Sequence, residues 1–94
     1  MDIPDEILTE LSYVKISQYR KRAMKIIDRD ELKISSQIAR ESDIIPNHLS
    51  KTLKQLREHE LIECINPEVK RGKLYRLTEI GQKVSESLDL LNLD

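Results

Sequence analysis

At 94 residues the chain has the length of one compact domain with a modest core, not of two. Three tyrosines with neither Phe nor Trp leave the core to Ile, Leu and Val, and argue against binding single-stranded nucleic acid on stacked aromatics. The formal net charge of −1 excludes an all-over basic surface, so the placement of the 16 Lys/Arg and 17 Asp/Glu carries the information.

Residues 4–11 (PDEILTEL) predict a short helix. Pro4 suits the first turn, Asp5 and Glu6 suit the positive end of the helix dipole, and Ile7, Leu8 and Leu11 form an apolar stripe. The stretch SYVKIS (12–17) mixes β-branched residues with serines and predicts a break. Ser17 then caps a second helix to about Asp28, and one continuous helix from 4 to 28 is the alternative. Tyr19, Ala23, Ile26 and Ile27 are its inward positions. Arg20, Lys21 and Arg22 read as a solvated face, with phosphate contact as the other reading.

A short strand is expected at Leu32–Ile34. Ser35 reads as the N-cap of the next helix, SQIARES, with Ile38 and Ala39 inward and Ser42-Asp43 closing it. Pro46 fits the first position of a further helix, where its missing N–H is harmless. That helix runs to about His59, with Leu49, Leu53 and Leu56 inward. LIECI (61–65) and KLYRL (73–77) predict two strands. They are joined by NPEVKRG, whose Pro67 and Gly72 are turn residues, into a hairpin with a long basic tip. Cys64 reads as a small buried strand residue. Thr78 caps a last helix with Ile80, Val84, Leu88 and Leu91 inward, widened by Leu90 and Leu93. The expected fold class is mainly α with a small β-hairpin (α+β), in a single domain over 1–94 whose core spans about 13–84.

Charge is distributed unevenly over these elements. Residues 12–29 carry six Lys/Arg against one Asp, while residues 1–11 carry four acids and no base. Acidic ends thus flank basic middle segments, as expected if one face meets phosphate. The segment 35–59 is a capped helix, a tight turn and a second helix starting at proline. In a helix-turn-helix the second helix enters the major groove, and its first turns reach base edges. Those positions are Asn47, His48, Ser50 and Lys51, followed by Lys54 and Gln55. Asn and Gln pair with adenine, Lys with guanine, and Ser with base or phosphate. Lys70, Arg71 and Lys73 at the hairpin tip suit the phosphate backbone or the minor groove.

The segments YVKISQYRKRAMKII, SSQIARES, NHLSKTLKQLREHELIE and KLYRLTEIGQKV resemble winged helix-turn-helix transcription regulators of the ArsR/MarR type, particularly short archaeal members. The resemblance covers about three quarters of the chain, from Tyr13 to Val84. It implies a winged helix-turn-helix fold and DNA binding by a recognition helix at about 46–59 and a wing at about 66–73. It further implies that Ser35 and Ser36 touch phosphate, and that the protein is a dimer. One departure is Glu60, where the family carries glycine. A left-handed backbone there is tolerated by glycine and resisted by glutamate.

The apolar stripes of the two terminal helices exceed what a wing domain needs, and predict a homodimer through those helices. Cys64, His48 and His59 lack metal-ligand spacing, and no catalytic constellation stands out, so neither metal, cofactor nor enzymatic activity is expected. The absence of a membrane-length apolar run and of a signal-like N-terminus predicts a cytoplasmic protein. The partner expected is double-stranded DNA. The alternative is a winged-helix protein–protein module without DNA binding.

Overall fold

The computed structural model describes residues 3–91, so the expectation for Leu93 lies outside the described residues. The elements are α1 (Asp5–Lys15), α2 (Gln18–Ile26), β1 (Lys33–Ile34), α3 (Ser35–Ser42), α4 (Pro46–Glu58), β2 (Ile62–Cys64), β3 (Leu74–Leu77) and α5 (Glu79–Leu90). The chain is mainly helical, with one three-stranded antiparallel sheet in the order β1-β3-β2. It belongs to the α+β class. Among the described residues no helix is long and apolar enough to cross a membrane.

Local chemistry explains most of the boundaries. α1 and α2 are separate helices, and α1 continues beyond Leu11 to Lys15 before ending at Ile16. Ser17 takes up extended backbone and accepts the Arg20 N–H on its hydroxyl at 3.2 Å, satisfying one of the donors that open a helix. Thr78 does the same for α5, accepting the Gly81 N–H at 3.0 Å. At α4 the entry is fixed differently: Ile44 and Leu49, each 2% exposed, stand at the positions of a hydrophobic staple.

Two boundaries differ from expectation for one reason. Ile34 pairs with Leu74 and Lys33 with Tyr75, which holds Ile34 extended and makes it the N-cap of α3, without a side-chain cap. Ser35 is therefore the first helical residue, not the cap. The ladder is two residues long, leaving Leu32 outside β1. On α2, Met24 is fully buried in the place expected for Tyr19, which is 38% exposed.

The core joins all five helices to the sheet. Ile7 and Leu11 of α1 and Val84 and Leu88 of α5 belong to the same cluster as Ile38, Leu56 and Leu77. The terminal helices thus spend most of their stripes inside the chain. Leu8, Leu90 and Leu91 stay exposed, the last because it lies just past the final turn of α5. Lys33 is the one buried lysine of the sheet. Its ammonium donates to the Ile26 carbonyl at 2.7 Å and to Glu41 at 2.8 Å, with Asp28 at 3.4 Å. Burial pulls its pKa down, but the Glu41 hydrogen bond and the Asp28 and Glu41 charges outweigh burial and hold it above the usual lysine value. The ion pairs tie the segment just after α2 to the last turn of α3.

The turn that closes α4 satisfies two of its late carbonyls: Glu60 N–H bonds to Arg57 O and Leu61 N–H to Leu56 O, each at 2.9 Å. This closure requires a left-handed residue, and Glu60 has φ 58°. A side chain there costs about 1–2 kcal/mol, part of which glycine returns as unfolded-chain entropy. Glu60→Gly is therefore expected to stabilise the fold by about 0.5–1 kcal/mol, read as a higher urea midpoint at unchanged slope. A lower midpoint would refute the strain.

Candidate nucleic-acid interface

α4 presents three faces. Leu49, Thr52, Leu53 and Leu56 are buried. Asn47, Ser50, Lys51 and Lys54 are exposed and share one face, being spaced by three and four residues. Arg57 extends that face by a further turn and is also exposed. It was not anticipated from sequence, although it lies three residues beyond Lys54 and repeats the same spacing.

His48, Gln55 and His59 form the third face, which packs toward α1 and α2. The Tyr19 and His48 rings meet edge-on at 4.9 Å. Gln55 Oε1 accepts from Arg20 Nε at 3.2 Å, and Arg20 Nη1 donates to the Tyr13 carbonyl at 2.9 Å. The guanidinium lies 3.8 Å over the Tyr13 ring, against which His59 also stacks at 3.6 Å. His59 Nδ1 in turn sits 2.7 Å from Glu10. These contacts lock α4 against the first two helices. Gln55 is thereby committed to Arg20, while Asn47 stays open. Asn47→Ala is expected to relax preference at one base position, by about 1–3 kcal/mol for a bidentate contact. Gln55→Ala is expected to leave duplex preference unchanged and to lower stability by about 1 kcal/mol. Binding to a panel of single-base variants, with a melting curve, checks both; a Gln55→Ala shift in base preference would contradict the division.

The remaining expected residues converge in two grooves that share Ser35 and Tyr75. One, of about 550 Å³, is lined by Ser35, Ser50, Lys54, Arg57, Glu58 and Tyr75 together with Leu53. The other, of about 330 Å³, runs between Ser35 and Ser36 at the start of α3 and Lys70, Arg71, Gly72 and Lys73 of the hairpin loop. Residues far apart in sequence thus meet because β1 leads directly into α3 while pairing with β3. Tyr75 stands at the junction. Burial, and then the neighbouring Cys64, push its phenol above the usual range despite Arg57, so it remains a neutral hydrogen-bonding group.

The hairpin loop is internally braced. Asn66 Oδ1 accepts the Leu74 N–H at 2.8 Å and Asn66 Nδ2 donates to Gly72 O at 3.1 Å. A turn closes from Val69 N–H to Asn66 O at 3.2 Å across Pro67. Gly72, at φ 73°, supplies the left-handed step. Lys70 and Arg71 are left exposed. Arg76, by contrast, pairs with Glu63 across the ladder at 2.8 Å.

Arg20, Lys21 and Arg22 do not form the solvated face expected of them. Arg20 is engaged as above, and Lys21 is 7% exposed. Arg22 Nε donates to Ser42 O at 3.0 Å and its Nη2 to Asp43 O. Arg22 thereby caps the end of α3, where Asp43 turns left-handed at φ 57°. Among the described residues no group of three or more His, Cys, Asp or Glu could hold a metal ion. What the open surface offers is hydroxyls, a carboxamide, ammonium groups and guanidinium groups. No family model, curated protein or solved structure matches the chain.

Proposed function

We propose that the chain is a sequence-specific double-stranded DNA-binding transcription regulator of the winged helix-turn-helix type, without enzymatic activity. α4 acts as the recognition helix in the major groove and the β2–β3 loop as the wing on the backbone or minor groove. The observation that carries this reading is the pair of grooves joined at Ser35 and Tyr75, which sets the α4 face and the hairpin cations side by side. A basic loop or a polar helix alone is common on soluble surfaces; here the β1–β3 pairing at the start of α3 brings the two together. Asn47, Ser50, Lys51 and Lys54 then face bases. Ser35, Ser36, Lys70, Arg71 and Lys73 face phosphates. Leu8, Leu90 and Leu91, 43%, 61% and 43% exposed, favour a homodimer through α1 and α5. A two-fold dimer sets its recognition helices about 34 Å apart, one turn of DNA.

A titration of labelled random duplex at several salt concentrations tests the reading. With about six phosphate contacts, affinity falls roughly 10³-fold from about 50 to 200 mM salt. Absence of binding at the lowest salt would overturn it in favour of a protein–protein module.

A further inference from the structure

Ile45 breaks the rules of the helix it begins. It is the N-cap of α4, with φ −65° and ψ 149°, and it supplies no side-chain cap. Isoleucine is among the poorest residues for that position, and α2 and α5 have Ser17 and Thr78 there instead. Nor does Ile45 serve the core, since its neighbour Ile44 fills the staple position and Ile45 is 61% exposed. Three residues later stands His48, and the N-cap and N3 side chains of a helix are neighbours. The His48 ring rests edge-on against Tyr19 at 4.9 Å. The leading end of α4 therefore carries an exposed apolar side chain, two residues before Asn47 and three before the His48 ring that α2 backs.

From this we infer that Ile45, supported by the His48–Tyr19 pair, is a specificity-determining residue that contacts the C5-methyl group of a thymine. The inference rests on the duplex-binding reading above. That methyl is the one alkyl group on the base edges of the major groove, so it is the natural partner of an exposed aliphatic side chain at the leading end of a recognition helix. Asn47, two residues further on, reads polar edges while Ile45 reads the methyl.

The probe is a duplex selected from a random pool by the wild-type chain, with each thymine replaced in turn by deoxyuridine, which lacks only the methyl. Wild type is expected to lose about fourfold in affinity at one position, the amount that burying one methyl-sized group supplies. Ile45→Ala is expected to bind the thymine and deoxyuridine duplexes equally at that position, with the wild-type salt slope and melting temperature. Wild-type binding that is indifferent to every deoxyuridine, or an Ile45→Ala chain that keeps the full discrimination, overturns the methyl contact while leaving duplex binding intact. No binding to any duplex at low salt overturns both readings together.

Discussion

Gly81→Ala is expected to destabilise the chain by about 3 kcal/mol or more, a large part of the total for a domain of this size. Gly81 lies in the first turn of α5, where a Cβ would come within 1.8 Å of Leu61 O and 2.8 Å of Leu61 C. The obstacle is backbone and is held from several sides. Leu61 O accepts the Thr78 N–H at 3.0 Å, and Leu61 N–H completes the closure of α4. Thr78 Oγ1 accepts from Gly81 and donates to Glu60 O at 2.6 Å. Neither α5 nor the α4–β2 corner can retreat without losing these bonds. Overpacking typically costs about 1–3 kcal/mol where neighbours yield, and here they do not. Urea unfolding measures the effect; a midpoint within experimental error of wild type would show that the corner is soft.

Neutralising the hairpin is expected to have the largest effect on binding. Replacing Lys70, Arg71 and Lys73 by Ala removes three cations from the groove that faces Ser35 and Ser36. If each meets a phosphate, the slope of log affinity against log salt becomes shallower by about 2.7, at roughly 0.9 per contact. Affinity at low salt falls by about 10- to 10³-fold for every duplex alike, because phosphate contacts carry no base information. The fold is expected to persist, since Asn66 rather than the cations braces the loop. A loss confined to one duplex sequence would assign the hairpin to base reading instead.

Much of the fold was legible because the signals were local. Ser17 and Thr78 are residue types that cap helices, Pro46 marks a helix start, and Leu49, Leu53 and Leu56 repeat at helical spacing. The left-handed turn at Glu60 was legible too, as a position where the resembled family has glycine. What escaped depends on partners distant in sequence. Ile34 displaced Ser35 as the cap because it pairs with Leu74, forty residues on. Gln55 reads as a base reader from its spacing alone, whereas in the fold its Oε1 accepts from Arg20, thirty-five residues earlier. Arg22 looked solvated although it caps α3, and nothing local marks Lys33, whose charge is buried among Glu41, Asp28 and a carbonyl. The candidate site was therefore readable as a set of residue types, while its layout in two joined grooves was not. That layout depends on β1 pairing with β3 directly before α3 begins.

Amide chemical shifts of the labelled chain, followed as duplex DNA is added, show which surface the duplex meets. Shifts are expected to concentrate at Ser35–Ser36, along the first turns of α4 from Asn47 to Lys54, and at Lys70–Lys73, with α5 and the outer face of α1 nearly unmoved. Shifts centred on α1 and α5 with an unaffected hairpin, or no shifts at low salt, would contradict the proposed interface.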